Sequence, residues 1–396
     1  MKIVHSADWH IDQLHDWGKK ASFNEYHLQK LDILFQQTIN MKADVFIFAG
    51  DLYKNSSSNF KTKDKINDYL LQKINELRKK GILVIMISWN HDIRHKSTVN
   101  KDNNLKLYNT VSYEDLIVND PNSESIIYKD YKGVRFILWP YLRNRLKGDI
   151  KDEIKALIKE FNGDSIIVGH LDVFGALYGS IEIKSLDLED LNTWSPDELE
   201  SLWAQLVLLG HVHNHQTLGE EKRIIYSGSP YKLSYNEEGV QKWYYVHTKE
   251  KGYWNSSFLD LYDKKWKTFR YDYEEKKNFQ DLLEEIKREE LEGAVVRIII
   301  EKINAEAYKY IPYKEIQDIL TDKNIFLFRG FSYKELRKTV EKNQQIENLW
   351  EELTDEKLNP KNILESVLNK EGLEKEEIES NLIVLDQLVT TLELNQ

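Results

Sequence analysis

Metal-capable side chains follow five short apolar runs in the first half of the chain. The runs are Lys2–His5, Asp44–Ala49, Ile82–Ile87, Ser165–Val168 and Leu206–Leu209. Each run is rich in Val, Ile, Leu or Phe, which is typical of a strand buried in a sheet. Groups just beyond the carboxyl ends of strands in an open α/β sheet meet in one crevice. We therefore expect eight side chains to converge there: Asp8, His10, Asp51, Asn90, His91, His170, His211 and His213.

The chemistry of this set is that of a metal centre with nitrogen and oxygen ligands. The chain has no cysteine, so the ligands suit Mn²⁺, Fe²⁺, Zn²⁺ or Mg²⁺ rather than Cu(I) or an iron–sulfur cluster. The spacings Asp8-x-His10 and His211-x-His213 put both side chains of a pair on one side of an extended segment, where the pair can clamp one ion. The two carboxylate oxygens of Asp51 can bridge two ions.

An explanation without a metal exists for each residue taken singly. A histidine at a strand end is more often a hydrogen-bonded structural residue, and a Gly-Asp pair is mostly a turn. Five strand ends that all close with a metal-capable residue argue against that explanation for the whole set.

Glycine precedes Asp51, His170 and His211, which predicts a sharp backbone turn at the end of three strands.

Helical patterns separate several of these strands. Examples are Tyr26–Met41 and Lys65–Lys80, the second of which ends on Gly81 as a helix stop. Alternation of strands and helices predicts an α/β sandwich with helices covering the sheet. Three further strands are expected to complete the first domain, at 242–247, 254–261 and 266–271.

A small α+β unit and a charged helical tail are expected after the first domain. Helices are predicted at Asn278–Glu290 and Tyr313–Leu320, and strands at Ala294–Glu301 and Asn324–Arg329. The tail holds two helix candidates with apolar stripes, which suit either docking onto a partner helix or packing on their own domain. The predicted domains are 1–273, 274–335 and 336–396.

The composition is that of an ordinary soluble protein. The 396 residues are 41% hydrophobic and 31% charged, and this length suits one large domain with one or two smaller ones. We find no signal peptide and no apolar run near the ~20 residues that span a bilayer. Since the lack of cysteine fits a reducing compartment, a cytoplasmic protein without membrane partners is expected.

The net charge of −11 bears on the substrate. A protein that grips DNA mainly by its own phosphate contacts is usually basic. Either the substrate is therefore not a long nucleic acid, or bound metals and a partner supply the positive field.

The motifs resemble those of the calcineurin-like metallophosphoesterases. They are Asp8-x-His10, Gly50-Asp51, Asn90-His91-Asp92, Gly169-His170 and Gly210-His211-x-His213. Two longer runs, from Ile3 to His10 and from Phe48 to Tyr53, look like the SbcD/Mre11 branch. That branch comprises the nuclease subunits of the DNA double-strand-break complex. The resemblance by motif covers residues 1–235, and the later part resembles the branch only in layout.

The resemblance implies a four-layer α-β-β-α sandwich with a small α+β cap domain, a helical C-terminal tail and a two-metal centre. Asp8, His10, Asp51 and His213 would hold one ion, and Asp51, Asn90, His170 and His211 the second, with Asp51 as the bridge. His91, oriented by Asp92, would act on the phosphate as a general acid or transition-state stabiliser. Two divalent ions, of which Mn²⁺ is the favoured candidate, would activate water near neutral pH. The reaction that the resemblance implies is therefore hydrolysis of a DNA phosphodiester.

Two positions beside the motifs depart from the family pattern. Trp89 stands where the family usually has glycine, and a bulky residue is strained there if the backbone needs a positive φ. Lys54 stands where the family often has Asp or His. For Lys54, we weigh contact with a substrate phosphate and a solvated surface position as about equal alternatives. Neither change removes an implied ligand, so we expect activity to survive and substrate preference to be affected.

Other polar residues carry weaker signals. We interpret His5 as a core residue, and Asp172 and His215 as supporting or surface residues. Two small basic clusters suit either DNA backbone contacts or solvated surface: Lys61, Lys63 and Lys65, and Arg143, Arg145 and Lys147.

Three functions are weighed on this basis. The favoured one is a homodimeric DNA nuclease subunit acting with an SbcC/Rad50-like coiled-coil ATPase, which accounts for both the acidic charge and the apolar stripes of the tail. The second is a stand-alone phosphodiesterase for nucleotides or other phosphoesters. The third is a metal-free scaffold, against which the intact ligand set argues.

Overall fold

A computed structural model describes most of the chain. The described residues are 1–11, 21–53, 60–87, 114–119, 125–140, 142, 145–178, 181–182, 193–273, 278–303 and 307–335. Six of the residues discussed above lie outside them, as does the predicted tail 336–396: Lys54, Trp89, Asn90, His91, Asp92 and Arg143.

The strands are numbered in chain order. Those of the first half are β1 (Lys2–Ser6), β2 (Val45–Ala49), β3 (Leu83–Ile87), β4 (Leu116–Asn119), β5 (Ile127–Tyr131), β6 (Val134–Trp139), β7 (Asp164–His170), β8 (Asp172–Val173), β9 (Leu177–Tyr178) and β10 (Ile181–Glu182). Those of the second half are β11 (Thr193–Trp194), β12 (Leu206–Gly210), β13 (Gln216–Leu218), β14 (Ile224–Tyr226), β15 (Trp243–Glu250), β16 (Tyr253–Asp260), β17 (Trp266–Asp272), β18 (Val295–Ile303) and β19 (Leu327–Glu335).

The described residues form fewer helices than strands. These helices are α1 (Ala21–Asn40), α2 (Phe60–Lys79), α3 (Lys147–Lys159), α4 (Pro196–Glu200), α5 (Gln280–Arg288) and α6 (Tyr313–Asp322). In the same part of the chain, 3₁₀ turns lie at Tyr235–Glu237 and Ala307–Tyr310. Among the described helices, none is both long and apolar enough to cross a lipid bilayer.

Two mixed six-stranded sheets carry the fold. The first has the order β16-β15-β1-β2-β3-β4, and the second β13-β14-β12-β7-β6-β5. In the first sheet β1, β2, β3 and β4 run parallel, and in the second β6, β7, β12 and β14 do. The carboxyl ends of parallel neighbours lie at the same edge of a sheet, so β1 and β2 end together, as do β7 and β12.

Three apolar clusters define the layers. Alternate residues of a strand point to opposite faces, and both faces of β2 and β3 are buried. One face of the first sheet packs on α1 and α2, through Val4, Phe46, Val84, Leu31 and Leu70. The opposite face packs on the second sheet, through Ile3, Val45, Leu83, Phe136, Ile166 and Leu206. The outer face of the second sheet packs on α3 and α4, through Ile137, Ile167, Ile150, Ile154 and Leu199.

The predicted elements match the described ones to within a few residues. All five apolar runs are strands, and the helix patterns at Tyr26–Met41 and Lys65–Lys80 correspond to α1 and α2. The strand expected at 266–271 is β17, and the sequence did not indicate its partner strands. It joins a third sheet of order β17-β18-β19, in which Trp266 packs on Val295 and Leu327.

The chain divides into two compact units. The first comprises Met1–Tyr271, Gln280–Ile299 and Pro312–Ser332, and the second comprises Asp272–Phe279, Ile300–Ile311 and Tyr333–Gln396. Within the second unit, Lys302 forms an ion pair with Asp272 at 2.8 Å. All described candidate ligands lie in the first unit. The predicted domain boundaries stay predictions.

Buried histidines predict an acid-sensitive fold. His247 and His27 are almost fully buried, and burial lowers the pKa of each to about 3 from an unfolded value of about 6.5. Above pH 6.5 both states are neutral, so stability does not depend on these groups. As the pH falls below 6.5, only the unfolded chain binds the proton. Each group then lowers the free energy of unfolding by about 1.4 kcal/mol per pH unit, down to about pH 3.

We expect His247→Asn to make this dependence shallower by about 1.4 kcal/mol per pH unit between pH 6 and pH 4. Urea unfolding of the wild type and the variant at several pH values measures the difference in slope. Parallel curves for the two proteins would mean that His247 is already protonated in the folded state.

Candidate metal centre

The candidate ligands lie where the two sheets present the carboxyl ends of their central strands. Asp8 comes two residues after β1, and Asp51 comes two residues after β2. His170 is the last residue of β7, and His211 directly follows β12. Because the two sheets share one apolar core, the two pairs of strand ends face each other. The expected convergence is therefore observed for the described residues.

Six Asp and His side chains form two groups with metal-ligand geometry. The first group is Asp8, His10 and His213, and the second is Asp51, His170 and His211. Within each group the candidate ligand atoms lie within 4.8 Å of one another. The Nε2 atoms of His10 and His213 are 3.2 Å apart. Two nitrogens that each bind one ion at 2.0–2.1 Å are themselves roughly 3 Å apart, so this spacing fits a shared ion.

The Asp51 carboxylate connects the two groups. Its Oδ2 atom lies 3.5 Å from His10 Nε2 in the first group and 3.4 Å from His170 Nε2 in its own group. Asp8 Oδ1 also approaches His170 Nε2, at 3.8 Å. One carboxylate oxygen thus reaches a ligand nitrogen of each group, which is the geometry that a bridging ligand requires.

The imidazoles are oriented by acceptors on the ring atom away from the centre. His170 Nδ1 donates to the carbonyl oxygen of Ala49 at 2.7 Å, because a carbonyl can only accept. His213 Nδ1 lies 3.2 Å from Glu237 Oε1, and His211 Nε2 lies 3.0 Å from Asp172 Oδ1. Each such bond leaves the lone pair of the other ring nitrogen for an ion. Asp172 therefore supports His211, as one of the two interpretations from sequence proposed.

The backbone is strained at several candidate ligands. Asp8, His10, Asp51 and His211 have φ values of 53°, 40°, 59° and 98°, in the left-handed region that side chains other than glycine rarely adopt. Strain of this kind clusters at functional sites, where the surrounding structure holds it in place. Hydrogen bonds from Asp8 N to Gly50 O and from His10 N to Asp51 O hold the loop after β1 against the loop after β2.

Two glycines make room for the imidazole of His170. Gly50 has a φ of +93°, and a Cβ there would lie 2.5 Å from His170 Nδ1. A Cβ on Gly210 would lie 2.2 Å from Ala49 O and 2.7 Å from His170 Nδ1. The predicted turn at glycine is thus correct at Gly50. At Gly169 and Gly210 the prediction is wrong, because Gly169 stays in β7 and Gly210 stays in β12. After Gly210 the positive φ falls on His211 itself.

Glu237 is a site residue that the sequence did not reveal. It lies in the 3₁₀ turn Tyr235–Glu237, is buried, and accepts from His213 Nδ1. Lys242 Nζ lies 2.5 Å from Glu237 Oε2 and donates to His213 O at 3.0 Å. Burial alone would raise the pKa of Glu237, but Lys242 and His213 lower it to about 2. The glutamate is therefore an ionised acceptor that orients His213.

The electrostatics of the site suit cations. Burial raises the pKa of the Asp8 carboxyl, and the nearby Asp51 raises it further, against the opposing effect of His170 and His213. Two buried carboxylates this close disfavour each other's ionised form. Divalent ions between them would remove that penalty, and the donors present are the carboxylates and imidazoles that such ions bind in proteins. The residues therefore fit a two-metal site of Asp and His ligands.

The fold and this site define a metal-dependent phosphoesterase. The calcineurin-like phosphoesterase model matches residues 1–226, which is more than half of the chain. The chain therefore belongs to the calcineurin-like phosphoesterases, as its motifs indicated.

The chain is also similar to two solved structures at low sequence identity. A dimetal phosphatase from Danio rerio is 10% identical with a TM-score of 0.39, and the match covers 66% of this chain and 97% of that chain. The phosphopantetheinyl hydrolase of Mycobacterium tuberculosis is 11% identical with a TM-score of 0.34, covering 65% of this chain and 96% of that chain.

Gly50→Ala is expected to weaken metal binding by displacing His170. Its Cβ would meet the imidazole at 2.5 Å, whereas Gly252, at the similar φ of +90°, has nothing within 4 Å. Both variants carry backbone strain of about 1–2 kcal/mol, but only Gly50→Ala disturbs a candidate ligand. Calorimetric titration with Mn²⁺ should show an affinity about tenfold or more lower for Gly50→Ala and unchanged for Gly252→Ala. Equal affinities would mean that the ring tolerates the methyl group.

Removing the Glu237 carboxylate is expected to lower metal affinity about 10- to 100-fold, because His213 loses its orienting acceptor. Glu237→Gln leaves the buried Lys242 uncompensated, so the double variant Glu237→Gln/Lys242→Met removes both charges together. Glu198→Gln is the matched control, since Glu198 forms an ion pair with Lys151 at 2.6 Å on α4, away from the ligands. Mn²⁺ affinity that is retained in the double variant would contradict the orienting role.

Proposed function

We propose that this chain hydrolyses phosphodiesters at a two-metal centre. In this proposal Asp8, His10, Asp51 and His213 hold one ion, and Asp51, Asn90, His170 and His211 hold the other. The observation that carries it is the position of Asp51 Oδ2, within 3.5 Å of a ligand nitrogen in each group. Asn90 lies outside the described residues, so its place in the second set rests on the motif alone.

The chain's own residues contribute orientation and charge. When bound, two divalent ions would supply a nucleophile from water near neutral pH and stabilise charge on the attacking and leaving oxygens. The bonds from His170 to Ala49 O and from His213 to Glu237 hold two imidazoles in the tautomer that binds a cation. His91, with Asp92 beside it, is proposed to protonate the leaving group or stabilise the transition state. Mn²⁺ is the first candidate metal, with Mg²⁺, Fe²⁺ and Zn²⁺ as alternatives.

Two substrate classes remain as proposals. The proposal of DNA as the substrate rests on two runs that resemble the SbcD/Mre11 branch, from Ile3 to His10 and from Phe48 to Tyr53. Small phosphoesters are favoured by the net charge of −11 and by the pairing of Arg145, one of the candidate DNA contacts, with Glu153 at 2.6 Å. The comparisons establish the family and lend no separate support to a nuclease, so the small-phosphoester function stands at least level with the DNA nuclease.

Mn²⁺ is expected to switch on hydrolysis of bis(4-nitrophenyl) phosphate, and Asp8→Ala to abolish it by removing a metal ligand. His91→Ala should still bind Mn²⁺ but lose at least about 100-fold in kcat, the lower end of the contribution of a general acid. Linear double-stranded DNA assayed in parallel separates the two substrate classes. Hydrolysis of the small ester but not of DNA would rule out the nuclease function. Undiminished turnover by His91→Ala would rule out the catalytic role of His91.

The partner proposal concerns the tail. An SbcC/Rad50-like ATPase is proposed to bind the apolar stripes of residues 336–396, which lie outside the described residues, and the chain is proposed to form a homodimer. Capture of such an ATPase by the full chain but not by a chain lacking residues 341–396 would support docking. Equal capture by both would refute it.

A further inference from the structure

Three aromatic rings form a small cluster beside the candidate metal centre, with the His215 and Trp243 planes at 81° and the Trp243 and Phe258 planes at 41°. We call His215, Trp243 and Phe258 the aromatic platform. The ring centroids of His215 and Trp243 are 4.0 Å apart, and so are those of Trp243 and Phe258. Phe258 is 50% exposed, while the other two rings are partly buried. Phe258, the outer ring of the cluster, therefore presents an aromatic surface to solvent.

The platform is built from both sheets. Trp243 begins β15, and Phe258 lies on the neighbouring edge strand β16, where it pairs with Tyr245. Tyr245 belongs to the apolar cluster between the two sheets, so Phe258 faces the same side. His215 directly precedes β13, the outermost strand of the second sheet. The rings thus meet where the gap between the sheets opens to solvent.

The platform lies close to the candidate ligands. His215 is two residues after His213, so their Cα atoms are at most about 7 Å apart. Lys242, the residue before Trp243, donates from its Nζ to His213 O at 3.0 Å. Since β15 runs antiparallel to β1, the start of β15 lies at the carboxyl end of β1, near Asp8. A phosphate on the two ions would therefore have its attached organic group within reach of these rings.

We infer that the platform stacks a nucleobase of the substrate, next to the phosphate that is hydrolysed. This inference rests on the proposed function and selects, within it, nucleotide-containing esters. Every nucleobase has a flat aromatic face, and stacking on an exposed ring contributes to binding with little sequence preference. The platform would thus recognise the base and leave the phosphate to the metal centre.

Binding is tested on the full chain without added metal. Fluorescence anisotropy compares a labelled pentathymidylate with an abasic strand of the same length, which has the same phosphates but no bases. The wild type should prefer the thymidylate, and Phe258→Ala and Phe258→Leu should lower that preference about 5- to 150-fold. Phe258→Tyr keeps a ring and should retain the preference.

Tyr253 supplies the matched control. It is an exposed aromatic residue at the other end of β16, five residues and about 17 Å from Phe258. Tyr253→Ala should leave the preference for thymidylate unchanged. Equal binding of both strands by the wild type, or an equal loss of preference in Tyr253→Ala and Phe258→Ala, would overturn the inference.

Kinetics separate this inference from the proposed function. With Mn²⁺, thymidine 5′-(4-nitrophenyl phosphate) and methyl 4-nitrophenyl phosphate share a leaving group and differ only in the nucleoside. The ratio of their kcat/KM values should fall in Phe258→Ala and recover in Phe258→Tyr. If the wild type hydrolyses neither ester, the proposed function is refuted. The comparison of thymidylate and abasic binding would then still test whether the aromatic platform binds a nucleobase. Hydrolysis with a ratio that does not change between the wild type and Phe258→Ala would refute the platform alone.

Discussion

The contact between the end of β2 and the second sheet is the constraint on which the metal centre depends. Ala49 O accepts the Nδ1–H of His170 at 2.7 Å, across the gap between the sheets. A Cβ at position 210 would lie 2.2 Å from the same oxygen, so this approach requires glycine there. The bond sets the tautomer of His170 and places Asp51, two residues beyond Ala49, beside it. A shift of one sheet against the other would therefore separate the two ligand groups.

The apolar core holds this contact in place. The cluster between the sheets interleaves residues of β1, β2 and β3 with residues of β6, β7 and β12. Close-packed protein interiors resist small displacements. The loops after the strands can therefore keep four residues at positive φ, namely Asp8, His10, Asp51 and His211. Strain of about 1–3 kcal/mol per residue persists only where the surroundings over-determine the backbone. Core packing and site geometry are thus parts of one arrangement.

Buried charge is the second feature of the site. Asp8, Asp51 and Glu237 are carboxylates with almost no exposure, and isolated carboxylates are costly to bury. Lys242 balances Glu237, and the pair in turn orients His213. Asp8 and Asp51 would be balanced by the ions that their groups fit. The same arrangement thus accounts for the ionised state of Glu237 and for the fit of the site to divalent cations.

Periodicity and residue type predict local structure well in this chain. Continuous apolar runs marked the strands that are buried on both faces. Among the described residues, the metal-capable residues that follow four of these runs marked the crevice. The grouping of Asp8 with His213 and of Asp51 with His170 came from the family resemblance, and the geometry agrees with it. The pairing of β17 was not predicted, because an apolar strand pattern does not state which neighbour it hydrogen-bonds.

Sequence patterns alone define the strands, their buried faces and the chemical types of the ligands, because these depend on neighbours close along the chain. The support of His213 by Glu237 and Lys242, and the cluster that Phe258 forms with Trp243 and His215, are visible in the tertiary structure alone. Those residues are separated by 15 to 43 positions, and no local pattern marks them. Their contacts exist because two sheets pack face to face, which is a property of the whole core and of no single segment.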